Sequence, residues 1–328
     1  MKNKKLIEIG VALAKGATGS FSKEESNEKY REQLNKLSGS EDGKFDYNNF
    51  RDNDKQVFRI IEEVLNNRIE SGIKDQFDPY VDVRSVKFGD QLSFLPESDE
   101  LFAVSEIAGG TNNLSRQRFT HGKPYTVTTG WEGVKIYEEL ERFLSGYIDW
   151  EELIDRIERS FKNKITEKIF AAIKYAYNSL SAPYKYGGTW DTDQFEDIVA
   201  HVEAATGMKP LVVGTRKAIR KAIPDFVSDK MKDQRNEDGY FKTIDGISFG
   251  VIPQAHKIGT DEFAIDDNFL LILPNGNEKI VKLIFEGNTL IRETNGQTNA
   301  DDSQEYTVRK KYGVAVATSA KYAVYLLA

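Results

Sequence analysis

The densest group of side chains that could do chemistry is acidic: within seven residues lie Asp191, Asp193, Glu196 and Asp197. Carboxylates grouped in this way can bind a metal ion or transfer protons. However, Asp193 and Glu196 also have the spacing of a capping box, and acidic residues are favoured at the positive end of the helix dipole. The spacing therefore favours the start of a helix over a metal site.

A second candidate is the Gly214-Thr215 pair, which lies between an expected strand and an expected helix, where backbone amides can bind a phosphate. Basic side chains follow it at Arg216, Lys217, Arg220 and Lys221. The sequence has neither a Walker pattern nor the glycine pattern of a dinucleotide-binding turn, and a single Gly-Thr turn is a weak signal. We therefore interpret Thr215 as a helix cap that is followed by a solvated basic face.

The remaining candidates for catalysis are isolated in the sequence. The histidines His121, His201 and His256 are far apart, and none has a partner at metal-ligand spacing. A serine nucleophile elbow and a kinase-type glycine loop are absent from the sequence. The absence of cysteine excludes disulfides, thiolate metal sites and thiol nucleophiles. The sequence therefore predicts a protein that is not an enzyme, with no catalytic residues, no cofactor and no metal ligands.

The composition is that of a chain that can bury a core. Of its 328 residues, 39% are hydrophobic and 30% are charged, and the length suggests about two domains. The 45 basic and 52 acidic side chains give a net charge of −7, which argues against a strongly basic nucleic-acid-binding protein. No uncharged apolar run approaches the roughly 18 residues of a membrane-spanning helix. Residues 6–14 are expected to form a short amphipathic helix rather than a signal peptide.

The element that must position the rest is one long amphipathic helix, predicted from Asp149 to about Leu180. Asp149 and Glu152 have capping-box spacing, and Pro183 prevents continuation. At about 1.5 Å per residue the helix would be roughly 45 Å long, which is longer than one compact domain of ordinary size needs. Apolar residues recur every three or four positions and form one stripe: Trp150, Leu153, Ile154, Ile157, Phe161, Ile165, Ile169, Ile173 and Leu180.

The segments on either side of this helix differ in periodicity. Residues 53–71 are predicted to form a helix that ends at Ser71-Gly72, and an alternation of period two begins at Tyr80. Residues 105–130 are rich in glycine and have no periodicity of their own, which is typical of a functional or a disordered loop. After Pro183, helix and strand patterns follow one another, and from Lys279 onward an alternation typical of strands persists.

In this order of segments the chain resembles the major capsid proteins of tailed bacteriophages, whose icosahedral double-stranded-DNA phage shell fold is shared with encapsulins. The closing runs YTVRKKYGVAV (306–316) and AKYAVYL (320–326) are most similar to that family, and GVKIYEEL (133–140) resembles the segment that leads into its spine helix. The resemblance implies an α+β fold with an N-terminal arm (1–50), the first part of a peripheral domain (51–97), an extended loop (98–130), the peripheral domain with the spine helix (131–188), an axial α/β domain (189–273) and return strands in the peripheral domain (274–328).

The resemblance also implies a function. The chain would be a structural subunit that self-assembles, as pentamers and hexamers, into the icosahedral capsid of a tailed bacteriophage enclosing double-stranded DNA. It would be located in the virion capsid after assembly in the host cytoplasm. The implied partners are portal and scaffolding proteins and packaged DNA in loose, non-specific contact, with no membrane. The N-terminal arm would become ordered only on assembly.

Contacts between subunits are expected where charges on the loop meet charges on the spine helix of a neighbour, because such pairs set the register of an interface. The candidates are four residues of the loop and three acidic residues of the helix: Arg116, Arg118, Phe119, Lys123, Glu151, Glu152 and Glu158.

Two alternatives remain open from the sequence. One is an encapsulin-type compartment, which shares the fold and loads a protein cargo. The other is a soluble phosphate- or metal-dependent hydrolase that would use Asp191, Asp193 and the Gly214-Thr215 turn. The size of the purified particle distinguishes the hydrolase from a shell protein, because a megadalton assembly excludes an ordinary enzyme.

Overall fold

The computed structural model describes residues 2–17, 22–40, 42–78, 80–95, 101–107, 114–118, 124–137, 142, 144–147, 150–223, 226–275, 279–294, 305–317 and 321–328. Helices and sheets both contribute to it, which confirms the predicted α+β class. The helices are α1 (Lys2–Ala14), α2 (Lys23–Leu37), α3 (Tyr47–Phe77), α4 (Trp150–Ser179), α5 (Thr192–Thr206), α6 (Arg216–Lys221) and α7 (Asp229–Asp238). The strands are β1 (Val81–Val86), β2 (Ser93–Phe94), β3 (Tyr125–Thr126), β4 (Gly130–Tyr137), β5 (Lys185–Gly188), β6 (Pro210–Thr215), β7 (Thr243–Ile244), β8 (Ile247–Ile252), β9 (Phe269–Pro274), β10 (Val281–Thr294), β11 (Glu305–Val316) and β12 (Ala323–Leu327).

The long helix predicted in the middle of the chain is α4, and its extent is confirmed. Its apolar stripe is buried from Trp150 at the start to Ile173 near the end, and it packs against α3 and β11. The predicted cap residue Asp149 lies outside the described residues. Within the described ranges, no helix combines the length and the apolar character that crossing a membrane requires.

The helix predicted over residues 53–71 is longer than expected. α3 continues to Phe77, with one departure from helical geometry at Asn53. Gly72 does not end the helix, because it allows a close approach to α4 instead. A Cβ at Gly72 would lie only 2.6 Å from Oε1 of Glu158 on that helix. The absence of a side chain at Gly72 therefore leaves space for the Glu158 carboxylate between the two helices.

α3 and α4 pack on a four-stranded sheet with the order β1-β10-β11-β4, here called the first sheet. β11 pairs antiparallel with both of its neighbours, whereas β1 joins β10 in parallel. β11 follows the alternation that the sequence predicts, because Tyr306, Val308, Lys310 and Tyr312 are all buried on the face toward the helices. A strand with this pattern has one face in the core and one face outside it.

The N-terminal segment, expected as an arm that becomes ordered on assembly, contains two helices. α1, which confirms the short amphipathic helix, and α2 both pack against α3, and α1 also reaches α4. α2 begins with a capping box between Ser22 and Glu25, and it buries Tyr30 and Leu34. α2 is so polar that its few apolar anchors, one turn apart, do not form an obvious stripe in the sequence. Whether residues 1–50 act as an arm during assembly stays a prediction.

The second sheet has six strands in the order β5-β12-β9-β6-β8-β7, and it separates two apolar cores. Val213 and Leu271 face the core that contains α3 and α4, whereas Val212 and Ile272 face a second core with α5 and α6. Because both faces of the sheet are covered, β9 has the continuous apolar sequence FLLIL rather than an alternating one.

Of the segment 274–328, expected as return strands of the peripheral domain, β10 and β11 lie in the first sheet and β12 lies in the second. β12 pairs in parallel with β5 and antiparallel with β9. The Tyr325 ring explains its place: its centroid lies 4.8 Å from that of Tyr186 and 5.5 Å from that of Trp190. The Tyr325 hydroxyl also donates a hydrogen bond to the carbonyl of Thr189 at 2.9 Å. β5, expected within the peripheral segment, lies in the same sheet.

Candidate assembly surfaces

A two-stranded ribbon flanks the segment predicted as the extended loop. β2 and β3 pair antiparallel, with Phe94 opposite Tyr125, and the centroids of their stacked rings are 5.6 Å apart. Phe94 packs against Val127 and against Ile284 of β10, which attaches the ribbon to the first sheet. The segment predicted as a loop, 98–130, therefore includes β3 and the first residue of β4, and its described residues 101–107 and 114–118 come between the two strands of the ribbon in the sequence.

A buried carboxylate ties the surroundings of this ribbon to the first sheet. Glu286 lies at a bulge in β10 and accepts hydrogen bonds from three different parts of the chain. The donors are Nζ of Lys311 at 2.6 Å, the amide of Gly89 at 3.0 Å and the hydroxyl of Thr129. The hydrogen bond from the Lys311 ammonium, together with those from Thr129 and Gly89, lowers the pKa of Glu286 to about 2.

Replacing Glu286 by glutamine is expected to remove a pH-dependent contribution to stability. Since the folded pKa of about 2 lies below the ordinary 4.5, the stabilisation is complete above about pH 5 and is lost as the pH falls toward 2. Near pH 7 the variant should be less stable than wild type by about 1.5–3 kcal/mol, the usual contribution of hydrogen bonds to a charged group. Urea unfolding near pH 7 and near pH 3 measures this difference, which should shrink at the lower pH. Equal differences at both values would contradict the assignment.

The described parts of the loop are residues 101–107 and 114–118, and one glutamine holds them together. The side chain of Gln117 accepts a hydrogen bond from the amide of Ala103 at 2.7 Å and donates one to its carbonyl at 2.8 Å. Two apolar side chains near Ala103 are exposed to solvent: Leu101 is 91% exposed and Val104 is 97% exposed. Exposed apolar residues close together in the sequence are typical of an interaction surface.

The basic candidates for contacts between subunits lie on this loop. Arg116 and Arg118 are both exposed, on the segment that Gln117 holds. Phe119 and Lys123 lie outside the described residues. The loop therefore presents two positive charges beside the exposed apolar side chains.

The acidic candidates on α4 have different surroundings. Glu151 forms an ion pair with Nζ of Lys23 at 2.7 Å, and Glu152 forms one with Arg156 at 2.5 Å, one turn further along the helix. The side chains of Glu151 and Glu152 are 34% and 50% exposed, so another subunit can reach both.

Glu158 is inward-facing, which corrects its expected place in an interface. Its side chain is 8% exposed and forms an ion pair with Arg68 of α3 at 2.6 Å. Burial raises the pKa of Glu158, and the Arg68 guanidinium opposes that effect. The residue is buried because it follows Ile157 on the side of the helix that α3 covers. Glu158 therefore holds two helices of one chain together and is not available to a neighbour.

A groove of about 290 Å³ lies between β4 and α4. β4 is an outer strand of the first sheet, so in the part of the chain that the structure describes it pairs with β11 on one side only. The residues that line the groove form an apolar floor and a polar rim: Val134, Ile136, Leu153, Ile157, Arg142, Glu152, Arg156 and Ser160. An apolar floor beside an unpaired strand edge can accept an extended segment of another chain.

The acidic cluster is a helix start, as its spacing predicts, although a different residue forms the cap. Asp191, not Asp193, is the N-cap of α5, and its side chain accepts a hydrogen bond from the amide of Gln194 at 3.1 Å. His201 and His256 each pack against one aromatic ring. Across the described ranges, no group of three or more His, Asp or Glu side chains is placed to hold a metal ion.

The Gly214-Thr215 turn serves capping and packing. The side chain of Thr215 accepts a hydrogen bond from the amide of Ala218 at 3.2 Å, which confirms the predicted cap, and donates one to Asp267 at 2.9 Å. A Cβ at Gly214 would lie 2.8 Å from the side chain of Leu270 on β9, so glycine is required for close packing there. These contacts account for the Gly-Thr pair without a bound phosphate.

Comparison with known proteins gives one family match and several similar structures. The sequence matches, over residues 3–325, the family described as "SPbeta prophage-derived putative capsid protein YonB". No curated protein matches the sequence. Similar solved structures include the capsid of Cyanophage P-SCSP1u, with 12% identity, 77% of this chain and 88% of that chain covered and a TM-score of 0.46. A structure from Microbacterium phage Oxtober96 has 12% identity, coverages of 75% and 89% and a TM-score of 0.48. The capsid of an empty GTA particle has 13% identity, coverages of 77% and 90% and a TM-score of 0.49.

The family match spans nearly the whole chain, from the first helix to the last strand. It agrees with the resemblance to phage capsid proteins that the order of segments indicates. The protein is therefore a member of the YonB family of prophage-derived capsid proteins.

Proposed function

We propose that this chain is the repeating subunit of an icosahedral capsid that encloses the double-stranded DNA of a tailed bacteriophage. Membership of a capsid family supports this proposal, because shell subunits bind mainly copies of themselves through interfaces that symmetry repeats. The observation that carries the proposal is the exposure of the apolar side chains of Leu101 and Val104, in a chain that also has an apolar groove beside β4, an outer strand among the described residues.

In this proposal the loop of one subunit lies over the groove between β4 and α4 of the next. The apolar side chains of the loop would cover the groove floor, and the loop backbone would add hydrogen bonds to the edge of β4. Arg116 and Arg118 would then approach Glu151 and Glu152 of the neighbour, which are partly exposed. Charges at the rim of an interface contribute register and specificity more than affinity.

We assign the first sheet with α3 and α4 to the peripheral region of the subunit, and the second sheet with α5 and α6 to the axial region that surrounds the axes of pentamers and hexamers. Portal and scaffolding proteins are the expected partners, and assembly is expected in the host cytoplasm. The net charge of −7 supports loose, non-specific contact with packaged DNA, because a negatively charged shell wall repels the phosphate backbone.

Replacing both loop arginines by glutamate, Arg116→Glu with Arg118→Glu, is expected to prevent shell assembly while the subunit stays folded. Both side chains are exposed, and surface substitutions usually change the free energy of unfolding by less than about 0.5 kcal/mol. The same two reversed charges would recur at every copy of the interface. Circular dichroism measures the fold, and negative-stain electron microscopy measures the shells. Normal-sized shells from this variant would remove the proposed role of the loop.

A conservative double variant provides the matched control. Arg116→Lys with Arg118→Lys keeps both positive charges, and we expect it to assemble. The contents of purified wild-type particles provide a second measurement. Nuclease-protected DNA supports a genome container, whereas a protein cargo supports an encapsulin-type compartment. A monomer or dimer with metal-dependent hydrolytic activity would contradict the capsid function altogether.

A further inference from the structure

β10 is an inner strand of the first sheet, but only part of its length has a strand on both sides. β1 pairs with it in parallel from Val81 to Val86, and the last pair is Val86 with Glu286. β10 continues to Thr294, and beyond Glu286 the described residues contribute no strand on that side. The backbone amides and carbonyls of an unpaired strand edge are a template for pairing with another chain. Residues 287–294 therefore form an edge within the sheet.

Two side chains of α3 occupy amides of this edge. Oε1 of Glu62 accepts a hydrogen bond from the amide of Ile291 at 2.6 Å. Oδ1 of Asn66 accepts one from the amide of Thr289 at 3.2 Å. Four residues of a helix rise about 6 Å, and two residues of a strand rise about 6.8 Å. Because these distances are similar, two residues one turn apart on α3 can meet two successive amides of the edge.

The same side of α3 continues to the end of β1. Glu70, one turn after Asn66, accepts a hydrogen bond from the hydroxyl of Ser85 at 2.8 Å. The ammonium of the fully buried Lys310 lies 2.7 Å from Oε1 of Glu70 and also donates to Oδ1 of Asn66. Glu62, Asn66 and Glu70 are here called the α3 polar stripe. Its partners on β1, β10 and β11 hold the stripe along the line that β1 leaves open.

An open cleft lies beside this edge. Its volume is about 690 Å³, and it lies between α3, the end of β1 and the unpaired part of β10. Phe58, Val86 and Leu290 contribute apolar side chains to its lining, and Glu62 lies in it too. An apolar cleft beside a strand edge is an arrangement that accepts an extended segment. The α3 polar stripe, rather than a covering element, is therefore what occupies the edge.

We propose that Glu62 and Asn66 close the β10 edge against pairing with a strand of a second copy of this chain. A second copy is the relevant partner because each copy has the same unpaired edge, and identical edges can pair about a two-fold axis. A strand that pairs here must take the amide of Ile291 from Glu62. This exchange breaks a hydrogen bond to a charged group and leaves the carboxylate in the cleft without its donor. The inference concerns the folded chain alone and does not depend on the capsid function.

Chemical crosslinking of single-cysteine variants tests the proposal on the full-length chain. The chain has no cysteine, so Arg292→Cys places one thiol at an exposed position of β10 beside the edge. A short bismaleimide joins two thiols that lie close together, and denaturing electrophoresis measures the dimers. Adding Glu62→Ala to Arg292→Cys removes the acceptor of the Ile291 amide. We expect about tenfold more crosslinked dimer, because a hydrogen bond to a charged group is usually strong enough to shift an equilibrium by that factor.

Two further variants, each combined with Arg292→Cys, separate edge protection from a general loosening of the contact between α3 and β10. Glu62→Gln keeps a side-chain oxygen that can accept the hydrogen bond, so the dimer yield should stay at that of Arg292→Cys alone. Glu63→Ala is the matched control, since it removes the neighbouring carboxylate, which binds the Asn288 side chain at 3.2 Å instead of an edge amide. It should also leave the yield unchanged.

Folded Glu62→Ala protein whose dimer yield equals that of Arg292→Cys alone would overturn the proposal. An equal rise in Glu62→Gln or Glu63→Ala would overturn it too, because loosening of α3 would then explain the crosslink. If Glu62→Ala does not fold, as circular dichroism would show, Glu62→Ser replaces it with a polar side chain that is too short to reach the amide. The dimers are measured after denaturation, so a wild-type chain that forms no shell would count against the capsid function and not against this proposal.

Discussion

Replacing Trp150 by alanine should lower the free energy of unfolding by about 3–5 kcal/mol, the usual cost of removing a large buried aromatic side chain. Trp150 is fully buried at the start of α4, where it contacts both N-terminal helices. Its indole nitrogen donates a hydrogen bond to the carbonyl of Gly10 on α1 at 3.0 Å, and its ring centroid lies 5.0 Å from that of Tyr30 on α2. The variant should therefore also loosen the attachment of α1 and α2 to the rest of the protein.

Urea unfolding measures the loss of stability, and limited proteolysis between α1 and α2 measures the loosening. Trp131→Ala is the matched control, because Trp131 is 49% exposed and stacks on Phe88 with centroids 5.6 Å apart. An exposed aromatic pair of this kind should contribute about 0.5–1.5 kcal/mol. Similar losses of stability in the two variants would show that Trp150 does not anchor the N-terminal helices.

The second large effect is expected for Arg68→Met, which should lower the free energy of unfolding by about 3–5 kcal/mol because it leaves a buried carboxylate without its ion-pair partner. Arg68 and Glu158 have side chains that are 16% and 8% exposed, and their ion pair joins α3 to α4. The methionine side chain fills similar space, so the main loss is the charge opposite Glu158. Urea unfolding near neutral pH measures the effect.

The chain offers a matched control on the surface of the same helix. Arg156 and Glu152 form an ion pair in which the side chains are 73% and 50% exposed. Exposed pairs four residues apart on a helix contribute about 0.3–0.5 kcal/mol, so Arg156→Met should change stability little. If both variants lose the same stability, the buried pair has no special role in joining the helices.

The sequence predicts the elements whose burial follows a simple period. α4 is predicted almost to the residue, because a long helix with one buried face repeats its stripe many times. β9 is similarly clear, since a strand covered on both faces is apolar throughout. The class of function is what the resemblance to phage capsid proteins implies, and the family match agrees with it.

Features that depend on a few contacts between distant segments are not predicted. α2 is held by Tyr30 and Leu34 in an otherwise polar helix, and Glu158 is interpreted as a surface residue because its partner Arg68 lies far away in the sequence. The role of Glu286 likewise depends on donors from three separate segments. Lys310 is an intermediate case. The period of β11 places it with Tyr306, Val308 and Tyr312, so a buried lysine follows from the sequence, but its partners on α3 do not.

The position of β12 has a consequence for how quickly the subunit folds. β12 lies between β5 and β9, and its pairing with β5 joins segments that are far apart in the chain. Contacts between distant segments form late, because the entropy of closing a long loop must be offset before the contacts are gained. Until β12 is in place, β5 and β9 present unpaired edges to other newly made chains. We therefore expect chains in which β12 is not yet paired to associate wrongly through these edges, so that the insertion of this strand is a condition for an assembly-competent subunit.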